Sequence, residues 1–243
     1  MSGELLYVTE VAPYARDDQR VDAQRRLAGV HRVLPQSVIA LGEMAEAAEL
    51  SFRHSDDVRA LEADALERCR VLALFTIGET HWSEQQRREI VTRVRAGDTH
   101  VLAIHSATDA CHSWPEYGQL VGARFDGHPW TQQLTIEVAD DDHPATRHLP
   151  ATWLLDDEIY LFRDLRPDAR VLLRLKPEGL DMSRPGARTP EIGFPLAWVF
   201  SEGSGRGFYT SLGHFPQAFE DVSYLGHLYG GLSWLVGLNG SSS

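Results

Sequence analysis

The sequence predicts an α/β fold built on a mainly parallel central sheet with helices on both faces, followed by a β-rich extension. Three observations predict it. Two near-continuously apolar runs, Cys69–Ile77 and Val101–Ile104, have the pattern of strands buried on both faces. Helix-compatible segments separate these and two earlier strand candidates, so the first half reads β-α-β-α-β-α-β, the alternation of a parallel sheet. After His105 that alternation gives way to strands joined by turns.

Leu5–Thr9 is the first strand. The stretch from Ala15 to Arg26 is densely charged and reads as a solvated loop or short helix. In Gln36–Leu50 the residues Val38, Ile39, Leu41, Met44, Ala45 and Ala48 recur at helical spacing. His31 falls in the loop feeding that helix. Leu50–Asp56 is a second strand with a polar end, and the alanine- and leucine-rich run Val58–Arg68 is a helix. Gly78 ends the strand Cys69–Ile77. Ser83 and Gln86 form a capping-box pattern at the start of the next helix. Ile90, Val91 and Val94 supply its buried stripe, and Gly97 is its C-cap.

In the second half, Gln133–Val138 alternates as a strand and Asp140–Pro144 is a tight acidic turn. Thr152–Phe162 mixes apolar and acidic residues with no single period. Arg170–Leu175 is another strand, and Lys176–Gly193, with three prolines and three glycines, is a surface loop. Leu196–Phe200 and Gly207–Leu212 are strands joined by a hairpin at Glu202–Gly205. Tyr224–Val236 is a closing amphipathic helix, and Asn239–Ser243 a frayed tail. Neither a repeat nor a linker divides the chain, so one domain over residues 1–243 is expected.

Composition narrows the function classes. With 23 Lys and Arg against 35 Asp and Glu, the net charge is −12, without a basic block. Nucleic acid is therefore excluded as an expected partner, because a duplex-binding surface needs clustered cations. An anionic membrane surface is disfavoured for the same reason. No apolar run approaches the roughly 20 residues that span a bilayer. The N-terminus lacks a basic, signal-like segment, so a cytoplasmic location is expected. Two cysteines, Cys69 and Cys111, do not make a disulfide framework.

Polar residues at the C-terminal ends of parallel strands sit where open α/β sheets bind ligands. His105, Ser106 and Asp109 fall there after Val101–Ile104, and His214 follows Gly207–Leu212. The two histidines are candidate acid–base groups. Ser106 is a candidate nucleophile, although Gly-x-Ser-x-Gly is absent and a helix-capping role competes. Asp157 and Glu158 are candidate carboxylates beside Tyr160, because burial raises a carboxyl pKa. His128 suits a sugar hydroxyl, with the Trp130 indole stacking on a ring face. His31, His105 and His214 could together supply three imidazoles to a divalent metal such as zinc, which in catalytic sites has three protein ligands and an open position.

Several motifs, taken together and in order, resemble the ThuA-like (trehalose utilisation) proteins. They are Ile104–Ala107, Gly122–Pro129, Asp142–Pro144, Asp157–Tyr160 and Leu212–His214, and the resemblance spans roughly residues 28 to 237. It implies a flavodoxin-like three-layer sandwich of the class I glutamine amidotransferase-like type, and it favours Glu158 as the carboxylate facing the pocket. True amidotransferases present a cysteine in Gly-x-Cys-x-Gly and, later, a His-x-Glu pair. Here the elbow reads Ala103–Ala107 with His105 in the cysteine position, and Pro216 stands where the glutamate would be. Without a thiolate at the elbow, glutaminase chemistry is not expected.

The resulting expectation is an enzyme of carbohydrate metabolism acting on a sugar or keto-sugar by hydrolysis, elimination or isomerisation. A specialised biosynthetic enzyme on a non-sugar metabolite and a non-catalytic ligand-binding protein are the alternatives. A homo-oligomer is a base-rate expectation.

Overall fold

The structure, a computed structural model, describes residues 3–14 and 20–238, the side chains of residues 20–31 excepted. Part of the charged segment Ala15–Arg26 and the tail Asn239–Ser243 lie outside the described residues.

Strand β1 (Glu4–Val8) is wholly buried, as the apolar character of Leu5–Val8 requires, with Glu4 paired to Arg53. Helix α1 (Arg20–Ala47) is continuous through His31 and contains Pro35, where a feeding loop was expected. Proline removes one backbone donor and crowds the preceding turn. Here the helix is held by burial of Val33, Leu41, Met44 and Ala45. Ser37, two residues after the proline, donates to Leu34 O at 2.8 Å and accepts from Tyr7 OH of β1 at 2.7 Å. Packing outweighs the local preference for a break. Strand β2 (Ser51–Ser55) follows. The expected helix over Val58–Arg68 is instead a single 3₁₀ turn, Val58–Ala60, and one turn of α2 (Ala65–Arg68). Only Val58, Ala65 and Leu66 are buried along it, too few for a continuous apolar stripe.

Strand β3 (Cys69–Leu74) leads to α3 (Glu84–Ala96), where Ser83 and Gln86 close the capping box and Gly97 caps the C-terminus at φ +83°. Strand β4 (His100–Ile104) runs into a 3₁₀ turn, His105–Asp109, and then α4 (Tyr117–Val121). The second half supplies β5 (Arg124–Phe125), β6 (Trp130–Val138), β7 (Thr152–Ile159), β8 (Phe162–Arg163) and β9 (Arg170–Leu175). Strands β10 (Pro195–Glu202) and β11 (Gly205–Thr210) form the expected hairpin, and α5 (Val222–Val236) closes the fold.

Nine strands share one sheet in the order β2-β1-β3-β4-β11-β10-β9-β6-β7. The pairs from β2 to β11 are parallel, and those from β11 through β10, β9 and β6 to β7 are antiparallel. The first five follow the flavodoxin-like order, and the last four are the β-rich extension. Alternate residues of β4 serve opposite layers: Leu102 and Ile104 pack with Leu41, Leu228 and Leu232, whereas Val101 and Ala103 pack with Ile90, Val94 and Leu120. This two-sided burial makes the three-layer sandwich. No described helix is long and apolar enough to cross a membrane.

One departure from a flat sheet positions the site. Strand β6 pairs with β9 only through Ile136–Val138, while β7 pairs with β6 along its whole length from Trp130 to Glu137. The far half of the β6–β7 hairpin is thus released from the sheet. Its end, carrying Asp157 and Glu158, reaches the mouth of β4 and β11.

Candidate active site

His105 is the first residue after β4 and has a positive φ of +47°. Histidine tolerates this left-handed region better than most side chains, and such strain concentrates at functional sites. The residue is fully buried. Its Nδ1 donates to Ser211 O at 2.6 Å, and the edge of Phe75 packs against its ring at 5.7 Å between centroids. Because that carbonyl can only accept, Nδ1 carries the proton and Nε2 faces the site. Tyr209, from β11, donates its hydroxyl to His105 O at 2.8 Å and fixes the turn from the other side.

Three polar groups converge on His105 Nε2. Tyr160 OH lies at 3.0 Å, His214 Nδ1 at 3.2 Å and Glu158 Oε2 at 3.5 Å. Glu158 Oε2 is also 3.3 Å from His214 Nδ1, and its other oxygen is 3.5 Å from His128 Nδ1. The Tyr160 ring lies against His105 at 4.5 Å and against Phe125 at 4.6 Å between centroids, so the cluster has an aromatic wall.

These neighbours divide the protonation states. Burial alone would lower the His105 pKa, but the hydrogen bond and charge of Glu158, with Asp157 behind it, raise it above the ordinary histidine value. Burial and the charge of His105 push His214 down to about 4. Burial favours a neutral Glu158, yet the hydrogen bond and charge of His105, then His128 and His214, hold it at about 2. The carboxylate is thus held ionised, and the two imidazoles are pushed apart, His105 toward its protonated form and His214 toward its neutral form. Groups pushed apart in this way are suited to acid and base roles.

Asp157, a candidate carboxylate alongside Glu158, is turned away from the imidazole cluster. It has no exposed surface; its Oδ2 accepts from Gly213 N at 2.7 Å and its Oδ1 from His214 N at 3.1 Å and Glu158 N at 2.8 Å. Burial pushes its pKa up to about 6, opposed by His105 and these backbone donors. Its role is to position His214. Trp130 departs from expectation: it is fully buried, and its indole N–H donates to Asp181 O at 2.9 Å, so neither face is open to a sugar. Alternation along β6 turned it into the core.

Asp109 is buried beside the site turn, accepting from Tyr14 OH at 2.6 Å and lying 3.0 Å from His112 Nε2. Ser106 is buried, and its hydroxyl caps no helix and has no hydrogen-bond partner among the described residues, so neither the capping role nor a base at hydrogen-bond distance is present there. His31 lies in α1 with its side chain outside the described residues. Among the described residues, the group whose ligand atoms approach closely enough for a metal is His105, Glu158 and His214, all within 4.8 Å of one another. Glu158 joins the two expected histidines in that group. Cys111 is buried 2.8 Å from Thr80 Oγ1, and burial pushes its thiol up to about 11. It is no substitute for an elbow thiolate.

Sequence reasoning missed Ser211 and Tyr209. The first acts through its carbonyl, which no side-chain pattern marks, and the second reads as an ordinary strand aromatic.

Comparison with known proteins agrees with this architecture. The family model described as "ThuA: Trehalose utilisation" matches residues 23–235. A ThuA-like protein from Bacteroides uniformis superposes with a TM-score of 0.72 at 19% identity, covering 97% of this chain and 91% of that one. A ThuA-like protein from Parabacteroides merdae gives 0.71 at 16% identity, covering 97% and 90%. A β-galactosidase from Rahnella sp. R3 shares the fold at a TM-score of 0.53 and 11% identity, over 98% of this chain but 32% of that enzyme. No curated protein sequence matches significantly. With a family model matching nearly its whole length and a shared fold, this chain belongs to the ThuA (trehalose utilisation) family.

Proposed function

We propose that this protein is an enzyme acting on a sugar or keto-sugar derivative by histidine–carboxylate acid–base catalysis. The observation that carries the proposal is the convergence of Tyr160 OH, His214 Nδ1 and Glu158 Oε2 on His105 Nε2 within 3.0–3.5 Å, at the strand ends where such sheets bind ligands. Membership of a family named for trehalose utilisation supports a carbohydrate-related role.

The chemistry follows from the protonation states. His214, held neutral, is the base that takes a proton from substrate. Protonated His105, paired with Glu158, supplies one to the departing or carbonyl oxygen. The Tyr160 hydroxyl, buried and hydrogen-bonded to His105, orients that imidazole. His128, on the outer Glu158 oxygen, is the group placed to meet a sugar hydroxyl. A proton taken from carbon beside a ketone, with a proton delivered to oxygen, is the common first step of elimination and isomerisation of keto-sugars.

The test is turnover of a panel of disaccharides and their keto derivatives, trehalose included, by wild type, His105→Ala and His214→Ala. The reading expects turnover of at least one compound, falling about 10²–10⁴-fold in each variant. No turnover across the panel, or wild-type rates in both variants, would overturn it.

A further inference from the structure

We propose that His105 Nε2, His214 Nδ1 and Glu158 Oε2 form a binding site for one transition-metal cation of the zinc class. The inference concerns the same cluster as the catalytic reading but gives the lone pairs of its three atoms to a cation instead of to proton transfer, and it is carried by the geometry of those atoms rather than by the choice of substrate.

The three atoms are 3.2, 3.3 and 3.5 Å apart. A tetrahedral zinc bound to imidazole nitrogen and carboxylate oxygen at about 2.0–2.2 Å requires ligand atoms about 3.3–3.5 Å from one another. The triangle already has that size. Two histidines and one glutamate from separate segments are also a donor set of catalytic rather than structural zinc sites, which keep a fourth position open.

The His105 Nδ1 proton is committed to Ser211 O at 2.6 Å, so in its neutral form His105 presents a lone pair at Nε2. Glu158 Oε2 presents lone pairs as well, and His214 Nδ1 does so when its proton sits on Nε2. A cation at the centre takes up the three together.

The surroundings have the form expected of an outer shell. The Ser211 carbonyl fixes the His105 tautomer and aims Nε2, as backbone carbonyls do behind metal-bound histidines. Asp157 holds the His214 backbone through its N–H at 3.1 Å, and Tyr160 OH, at 3.0 Å from His105 Nε2, stands beside the ligand set. Glu158 and His214 are each mostly buried, with side chains 12% and 14% exposed, which limits competition from water.

The test is titration of chelator-stripped, untagged full-length protein with Co²⁺, followed by its visible ligand-field absorption, and zinc content by plasma mass spectrometry after dialysis against Zn²⁺. The expected result is about one equivalent of either ion with the intense absorption of a four-coordinate cobalt site. His105→Ala, His214→Ala and Glu158→Gln each abolish it. His54→Ala, at an exposed histidine outside the triangle, leaves the stoichiometry unchanged. Circular dichroism confirms that each variant is folded, and Glu158→Gln keeps nearly the wild-type shape should an alanine variant unfold. Wild type that binds no Co²⁺ or Zn²⁺, or folded triangle variants that keep a full equivalent, would overturn the proposal. Wild type that binds neither Co²⁺ nor Zn²⁺ yet turns over a sugar, with turnover lost in His105→Ala, would overturn the cation while leaving acid–base catalysis. One equivalent bound at the triangle with no turnover of any sugar would support the cation site and overturn the catalytic reading.

Discussion

Asp157 holds His214 through the main chain: its Oδ1 accepts the His214 N–H at 3.1 Å while its Oδ2 accepts the N–H of neighbouring Gly213 at 2.7 Å. Asp157→Asn would turn an amide donor toward backbone donors and leave at least one of them unsatisfied. The expected loss is about 1–3 kcal/mol of stability, read from urea unfolding. Activity should fall with it because His214 is displaced, and Asp157→Glu should not restore either. An unchanged unfolding midpoint in Asp157→Asn would show that this anchoring is dispensable.

Gly213 has φ +112°, and a Cβ there would come within 2.3 Å of Tyr224 OH, which itself donates to Leu212 O at 2.9 Å. Gly213→Ala is therefore expected to cost about 1–3 kcal/mol from backbone strain alone. The loop bearing His214 must move with it. Thermal unfolding gives the stability, and the proposed cobalt titration reports the displacement of His214.

Trp130 distinguishes a core role from a sugar-stacking one. Its full burial predicts that Trp130→Ala loses about 3–5 kcal/mol, as large-to-small core changes do. A substrate-stacking residue would instead raise KM with little change in unfolding. Denaturant melts beside steady-state kinetics separate the two.

Tyr160→Phe removes one hydroxyl that lies 3.0 Å from His105 Nε2 and leaves the ring packing in place. The expected effect is a drop in kcat of about 2–10-fold, the equivalent of one hydrogen bond of about 0.5–1.5 kcal/mol. This is far smaller than the effect of His105→Ala. Equal losses in both variants would mean that the hydroxyl, and not the imidazole, is the principal proton donor.

His227 predicts an acid sensitivity independent of the site. It is fully buried on α5, with Nδ1 donating to Ala145 O at 3.0 Å, and burial pushes its pKa down to about 3. The unfolded chain takes up a proton near pH 6.5, whereas the folded chain does not until about pH 3. Stability is thus fully present above pH 6.5 and is lost as pH falls toward 3. At pH 5 this one group accounts for about 2 kcal/mol relative to pH 7. His227→Gln retains a donor for Ala145 O without titrating, so its unfolding free energy should change less between pH 7 and pH 5, by about that amount.

The elements that repeat a local rule were legible in the sequence. The apolar runs at β3 and β4, the capping box at Ser83 and the hairpin at Glu202–Gly205 all reappear, because burial on two faces, helix-terminal hydrogen bonding and turn chemistry are written in neighbouring residues. The failures have the opposite cause. Pro35 sits inside α1 because Tyr7, thirty residues away from Ser37, helps hold that turn, and Val58–Arg68 lacks enough cover to stay helical.

The same division runs through the site. The sequence alone determined that His105 and His214 each follow a strand, since β4 and β11 are marked by their own apolar patterns; the tertiary structure made those strands parallel neighbours. Only the tertiary structure decided which carboxylate joins them. Strand β7 is five places from β4 in the sheet order, yet the released end of the β6–β7 hairpin returns it to the mouth of β4. Strand alternation then sends Asp157 into the interior, Glu158 toward the two imidazoles and Trp130 into the core. That path depends on where β6 parts from β9, a contact between residues about forty apart in the chain that no local pattern specifies.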